Sequence, residues 1–304
     1  GLIGRNWADA LQSFQAGLAR TPTNPDLLGF SATAQMSLGH WDEALAAAER
    51  GQTLDPRSVR AARHLVNVLL ALRRWPDARA ACDRGLAVAP TDVGLIVAKA
   101  SAYVGEGDQA GAQAVMRHPP RELDPATLVT WVATGLDGFW LLDDGQQDLL
   151  LALPLSAFDD DRATWALARA QVYRLRGDGA AARVWADSAE QTLAAELRSA
   201  DTDNLLHRLH GLALAYLGRK AEAIAEGNRA VAMRPLAADP VGGAFAQAWL
   251  AVILVIVGEP GQALDRLEPL LKIPYGVSPG SLRVDPTFAP LRGNPRFQRL
   301  VAGK

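Results

Sequence analysis

The chain alternates between runs of residues that favour α-helix and isolated turn residues. Leu and Ala dominate the runs, while Gly and Pro fall singly between them. No series of segments shows the strand pattern punctuated by hairpin turns that is typical of a β-protein. The pattern predicts an all-α chain, and 304 residues exceed the usual single core, which favours several domains or a repeat array.

A period of 34 residues runs through the first third of the chain. Trp7, Trp41 and Trp75 mark it. The same step separates the members of three further sets: Ala10, Ala44 and Ala78; Gly17, Gly51 and Gly85; Pro22, Pro56 and Pro90. Each Pro ends its unit because proline disfavours helix in the residue before it. The Ala positions let two helix backbones approach closely, and the Trp fills the gap at the turn between two helices.

A 34-residue period of paired helices closed by Pro resembles the tetratricopeptide repeat (TPR) from Gly4 to about Pro274. The resemblance implies a right-handed superhelical solenoid of antiparallel helical hairpins with a Pro-rich C-terminal cap. The predicted divisions are the second helix of a truncated repeat at 1–24, three regular hairpins at 25–122, a divergent hairpin at 123–160, three hairpins at 161–275 and a capping tail at 276–304.

The divergent hairpin is predicted as two helices, Ala126 to Leu142 and Gln146 to Leu153. The acidic runs at 143–144 and 159–161 lie in predicted turns, where carboxylates cap helix N–H groups, and they lack the alternating ligands of a calcium loop.

The two ends of the chain carry separate expectations. Gly1 to Arg5 fit only the end of a first helix, so we expect more protein, including an upstream domain, before residue 1. The tail residues Leu282, Phe288, Leu291, Phe297 and Leu300 are expected to cover the last hairpin, whose first helix is apolar nearly all round.

Residues 140–304 resemble a narrower group, the C-terminal repeat region of bacterial serine/threonine protein kinases, adenylate cyclases and related regulators. The segments that carry this resemblance are LLALPLSAF, WALARAQVYRLRGD, LHGLALAYLGRKAEAIAEGNRAV and LRVDPTFAPLRGNPRFQRLV. The resemblance implies a sensory or docking module of a larger bacterial signalling protein. The chain itself has no Gly-rich phosphate loop, HRD segment or DFG segment.

We therefore expect a protein–protein interaction scaffold, not an enzyme, that binds a protein or peptide partner in its concave groove. A permanent subunit of a multi-protein, possibly membrane-associated, complex is the alternative, and a small-molecule or glycan site is a third class that the fold alone neither favours nor opposes.

Charge and composition limit the classes of partner that the chain can be expected to bind. The chain has 31 basic and 33 acidic residues, so no global field favours nucleic acid. The longest apolar stretch, Ala244 to Val257, is shorter than the roughly 20 residues of a membrane helix. We expect a soluble chain without cofactor, in the cytoplasm or at the periplasmic face of a bacterial membrane.

Three residues invite a chemical interpretation that the sequence does not favour. His207 and His210 lie three residues apart, a spacing that some metal sites use, but no third ligand follows at a fixed offset. Cys82 occupies the packing slot that Phe14 fills two repeats earlier, so we expect it to be buried and unreactive.

The face predicted to line the concave groove offers the candidate binding site. Arg60, Arg63, His64 and Asn67 share one helical face, and the guanidinium groups could hold a carboxylate or phosphate bidentately. An equally weighted alternative is a solvated polar face with local salt bridges. Further along, the groove is expected to become aromatic through Tyr173, Tyr216, Phe245 and Trp249, some of which must belong to the core.

Overall fold

A computed structural model describes residues 6–135 and 138–303 of the chain. Within these residues there are 17 α-helices and three 3-10 helices, and no β-strand. The α-helices are α1 (Trp7–Arg20), α2 (Pro25–Ser37), α3 (Trp41–Leu54), α4 (Val59–Ala71), α5 (Trp75–Val88), α6 (Val93–Glu106), α7 (Gln109–Arg117), α8 (Pro125–Gly135), α9 (Asp144–Ala152), α10 (Arg162–Leu175), α11 (Gly179–Leu197), α12 (Asn204–Leu217), α13 (Lys220–Met233), α14 (Pro240–Ile256), α15 (Pro260–Leu270), α16 (Pro279–Val284) and α17 (Pro295–Val301).

The 3-10 helices cover Phe139–Leu141, Leu155–Phe158 and Pro286–Leu291. Consecutive helices pack in pairs, most extensively α2 with α3, α4 with α5, α10 with α11 and α12 with α13. This arrangement confirms the predicted all-α array of antiparallel hairpins. Residues 1–5, where the sequence predicts the end of a first helix, lie outside the described residues.

The helix starts and the turns of the first three complete hairpins show the same features at the same spacing. The side chains of Asn24, Ser58 and Asp92 cap the first turns of α2, α4 and α6, because each accepts hydrogen bonds from backbone N–H groups there. The turn inside each of these three hairpins contains a left-handed residue, and the three are again 34 residues apart: Gly39, Arg73 and Gly107, with φ of 80°, 58° and 90°. Only the middle hairpin places a residue other than glycine there.

The core depends on small residues at the crossing of the two helices. Ala44, Ala78, Ala112, Ala223 and Ala263, one in each of five hairpins, have no exposed surface at all. The Trp75 ring packs so closely against Gly105 that a Cβ on the glycine would lie 2.6 Å from it. These contacts explain why the period demands Ala and Trp at fixed positions.

The divergent hairpin departs from the predicted helix Ala126–Leu142. Helix α8 ends at Gly135, and Gly138 takes φ of 82° before the short 3-10 helix Phe139–Leu141. A left-handed residue does not continue an α-helix, so the predicted helix does not reach Leu142. Helix α9 then begins with a capping box between Asp143 and Gln146, as the predicted capping role of the acidic run requires.

The chain divides into two compact units. The first contains the residues up to Val115 together with two C-terminal segments, Pro235–Phe245 and Pro269–Val284. The second contains Met116–Arg234, Ala246–Glu268 and the residues from Asp285 onwards.

The tail expected to cap the last hairpin is shared between these units. In the first unit, α16 packs against α6, and Leu282 is buried. In the second, Arg296 pairs with Asp265 and Glu268, and Phe297 is buried. The part of the tail that belongs to the second unit therefore contacts the second helix of the last hairpin.

None of the helices in the described ranges combines the length and apolar character that crossing a bilayer requires.

Replacing Ala78 by Leu should lower the free energy of unfolding by about 1–3 kcal/mol, because the added side chain has no room at a fully buried helix contact. Urea denaturation followed by circular dichroism measures the change. Ala80→Leu, at an exposed position of the same helix, is the matched control and should alter stability by less than about 0.5 kcal/mol. Equal effects of the two substitutions would contradict the packing role of Ala78.

Candidate functional site

The two candidate arginines lie on α4 in the first unit, and both are paired with aspartates of neighbouring hairpins. Arg60 forms a salt bridge with Asp26 of α2. Arg63 holds the carboxylate of Asp92 with both arms of its guanidinium group, from Nε to Oδ1 at 3.0 Å and from Nη2 to Oδ2 at 2.6 Å. The bidentate geometry expected for a ligand anion is thus formed with a carboxylate of the chain itself.

His64 packs between the first two hairpins. Its ring covers Gly29 so closely that a Cβ on that glycine would lie 2.8 Å from Cγ of the ring. Its Nδ1 lies 3.2 Å from the Thr33 hydroxyl. Burial lowers the pKa of His64, the nearby Arg60 lowers it further, and Asp26 opposes the shift. The ring is therefore mainly uncharged at neutral pH.

An aromatic residue that the sequence analysis did not single out lies beside His64. Phe30 of α2 is 40% exposed, stacks on Phe14 with 5.7 Å between ring centroids, and meets the edge of the His64 ring at 5.6 Å. The signal was present in the sequence, because Phe30 precedes His64 by one period of 34 residues.

Asn67 is exposed, and its side chain makes no hydrogen bond within the described part of the chain. We call the surface formed by Phe30, Thr33, Arg60, Arg63, His64 and Asn67 the α2–α4 face. It combines an exposed ring, an exposed amide and two internally neutralised charge pairs.

The aromatic candidates occupy less accessible positions. Tyr173 and Tyr216 are half-buried, and burial raises the pKa of the Tyr216 hydroxyl. The guanidinium carbon of Arg174 lies 5.4 Å from the centroid of the Tyr216 ring. Trp249 is 9% exposed and stacks with Arg208. These three residues belong to the second unit, whereas Phe245, which is 42% exposed, belongs to the first. The expectation that some of the four belong to the core fits Trp249 best.

The histidine pair forms a buried polar cluster in the second unit. His207 hydrogen-bonds through Nδ1 to Glu226 at 2.5 Å and through Nε2 to the carbonyl oxygen of Asp201 at 2.6 Å. His210 lies 3.6 Å from both Glu190 and Glu226. No group of three or more His, Cys, Asp or Glu side chains in the described residues is arranged to hold a metal ion.

Cys82 has no exposed surface, and burial raises the pKa of its thiol to about 12. A thiol that stays protonated at neutral pH is a poor nucleophile, so the side chain serves packing.

A sequence model of a known family, described as "Tetratricopeptide repeat", matches residues 4–66. The matched stretch contains α1 to α3 and the first half of α4, with the Trp, Ala, Gly and Pro positions that continue at the same spacing beyond it. Residues 4–66 carry tetratricopeptide repeat sequence. No curated protein matches the sequence significantly.

Solved structures that match the chain do so at low sequence identity and with TM-scores below 0.5. A tetratricopeptide repeat protein from Parabacteroides merdae is 14% identical, with a TM-score of 0.38 and coverage of 94% of this chain and 92% of that one. The Cut9–Hcn1 hetero-tetramer of the APC/C is 13% identical, with a TM-score of 0.45 and coverage of 99% and 53%. PilW, a type IV pilus biogenesis factor, is 16% identical, with a TM-score of 0.40 and coverage of 75% and 86%.

In the TPR hairpins of the first unit, the first helices α2, α4 and α6 contact one another in sequence order. Residues one period apart on these helices are therefore neighbours. This stacking brings Asp26 to Arg60 and Phe30 to His64, and it makes the α2–α4 face continuous.

The lowered pKa of His64 predicts a pH-dependent contribution to stability. The unfolded chain takes up the His64 proton near the ordinary value of 6.5, above the pKa of the folded chain. Stability should therefore fall as the pH decreases through this range, and His64→Gln should reduce the loss between about pH 7.5 and about pH 5. Urea denaturation at both pH values measures the free energy of unfolding, and His40→Gln, at an exposed position, is the control. An unchanged pH profile in His64→Gln would contradict the prediction.

Proposed function

We propose that the chain is a protein–protein interaction scaffold that binds an extended or helical segment of a partner along the first helices of its TPR hairpins. The observation that carries the proposal is the α2–α4 face. There Phe30 keeps 40% of its surface exposed although it stacks on Phe14 and contacts His64. Exposed rings held rigidly by their neighbours are typical anchors of protein interfaces.

The charges of the α2–α4 face argue for a partner that is not strongly charged. Arg60 and Arg63 already pair with Asp26 and Asp92, so their charges are neutralised locally. A ligand carboxylate or phosphate would have to displace these aspartates, and Asp92 is also the N-cap of α6. We therefore infer a segment that contributes an apolar side chain beside Phe30 and backbone groups to the Asn67 amide, with the arginines positioning the face.

The experiment is a selection of random peptides displayed on phage against the purified chain, followed by anisotropy measurements on the best synthetic peptide. Phe30→Ala and Asn67→Ala should each weaken binding by about tenfold or more. Asn67→Ala should leave the melting curve unchanged, because the exposed amide makes no hydrogen bond within the described residues.

Leu54→Ala is the matched control, because Leu54 in α3 is 41% exposed and is also apolar. Peptide binding that responds equally to Leu54→Ala and Phe30→Ala would move the interface away from the α2–α4 face. Affinity should change by less than about threefold between low and physiological salt, since screening acts mainly on unpaired charges. A steep loss of affinity with salt would instead support capture by Arg60 and Arg63.

We propose further that the scaffold is the sensory or docking module of a larger bacterial signalling protein. The support is the resemblance of residues 140–304 to the C-terminal repeat regions of bacterial kinases and cyclases. Mass spectrometry of the intact protein purified from its host tests this, because a catalytic domain would add a large segment to the chain. An intact mass equal to that of the 304 residues would refute it.

A further inference from the structure

One edge of the first unit is formed by the turns that join the two helices of each hairpin. Its three left-handed residues, Gly39, Arg73 and Gly107, are spaced by one period and define what we call the turn edge. Each of them lies against a C-terminal segment of the same unit. Pro240 Cγ is 3.4 Å from the position of a Cβ on Gly39, and Gly107 contacts Gly280 and Arg283.

Arg73 makes the central contact with this C-terminal segment. Its guanidinium group donates to five backbone carbonyl oxygens: Leu270 at 2.9 Å, Leu271 at 2.8 Å, Ile273 at 3.0 Å, Tyr275 at 3.2 Å and Val277 at 2.9 Å. No carboxylate pairs with Arg73 in the described part of the chain. The cation is therefore satisfied by peptide backbone alone.

These carbonyls belong to the end of a helix and the turn after it. Leu270 is the last residue of α15, and the last carbonyls of a helix have no partner within it. They also lie at the negative end of the helix dipole, where a cation is favoured. Arg73 thus recognises a backbone conformation, and the side chains of the segment are not required for the contact.

The identity of residue 73 supports a binding role. A left-handed backbone strains any residue with a Cβ, and the equivalent positions 39 and 107 are glycine. Arginine at this position keeps φ at 58° and is compensated by its contacts with the C-terminal segment.

Residues 269–284, which we call the strap, bury the side chains of Leu270 and Leu282 and also make polar and backbone contacts. Ile273, Tyr275 and Val277 are only half-buried. Ser278 is buried and donates to the carbonyl of Gly105. Gly280 approaches the backbone so closely that a Cβ would lie 2.6 Å from C of Glu106 and 2.7 Å from N of Gly107.

We propose that the turn edge is a binding site for the C-terminal end of a helix and the backbone turn that follows it, and that the strap occupies this site as an intramolecular ligand held by Arg73. The ligand class is a peptide that presents several convergent carbonyl oxygens. The site is separate from the α2–α4 face, and the inference does not depend on the proposed function.

The first test replaces Arg73 by Gly in the full chain, which removes the guanidinium group and relieves the backbone strain together. The proposal expects the amides of Ser278, Ser281 and Leu282 to exchange hydrogen about tenfold faster or more, because the strap opens locally. Trypsin should also cut faster after Lys272. Exchange in α10 and α11 of the second unit should not change.

Arg74→Gly is the matched control, because Arg74 is the adjacent residue and its guanidinium group pairs with the carboxylates of Asp77 and Glu49. It should leave strap exchange and cleavage unaltered. If Arg73 merely terminates a helix, glycine should serve as well or better, and strap protection in Arg73→Gly should be unchanged or increased. That result would overturn the proposal.

The second test supplies the ligand in trans. Gly280→Ala should displace the strap through the backbone clash while leaving Arg73 in place. A fluorescently labelled synthetic peptide of residues 266–284 should then bind the Gly280→Ala chain. It should bind the Arg73→Gly/Gly280→Ala chain at least about tenfold more weakly, because the guanidinium group is absent. It should also bind the wild type at least about tenfold more weakly, because the strap fills the site. Absence of binding to Gly280→Ala, or binding that does not depend on Arg73, would overturn the proposal.

Discussion

The hairpins of this protein depend on a small side chain at the point where their helices cross. The fully buried alanines, Ala44, Ala78, Ala112, Ala223 and Ala263, let the backbones approach to a distance that no larger residue allows. Once that distance is fixed, the first helices of successive hairpins stack at a fixed offset. Residues one period apart become neighbours, and this is why Phe30 meets His64 and Asp26 meets Arg60. The candidate face is therefore a consequence of packing.

The same stacking determines the electrostatics of the candidate face. Asp92 accepts the fork of Arg63 and also a hydrogen bond from the backbone N–H of Leu95 at the start of α6. One carboxylate thus caps a helix and neutralises an arginine of the preceding hairpin. If this face binds the proposed partner, cations satisfied in this way favour selection by shape and apolar contact more than by charge.

Much of the fold could be predicted from the sequence because a repeat encodes contacts between nearest neighbours. The 34-residue step predicted the hairpins and the small side chains at their helix contacts. It could not predict that Asp26 and Asp92 neutralise the arginines, since a period shows which residues are close but not which rotamers they adopt. The short 3-10 helix Phe139–Leu141 was also missed, because the sequence was interpreted as one helix from Ala126 to Leu142.

The position of the strap could not be predicted from the sequence, for a different reason. Its carbonyls lie about 200 residues from Arg73 in the sequence, and backbone groups leave no trace in side-chain periodicity. One signal was nevertheless available, because Arg73 stands where the hairpins before and after it have glycine.

Arg169 in the second unit shows that this use of arginine is not confined to one place. It belongs to the regular hairpin α10–α11, is buried beside Trp165 and Trp185, and donates to the carbonyls of Leu151 and Leu153 at the end of α9. Helix α9 is part of the divergent hairpin, and the strap connects the last hairpin to the irregular tail. In both units an arginine of a regular repeat satisfies carbonyls at the end of a helix and just beyond it, α9 for Arg169 and α15 for Arg73. Repeats bury apolar faces only against their neighbours, so segments that leave the pattern need another means of attachment, and a guanidinium group with five donors provides it.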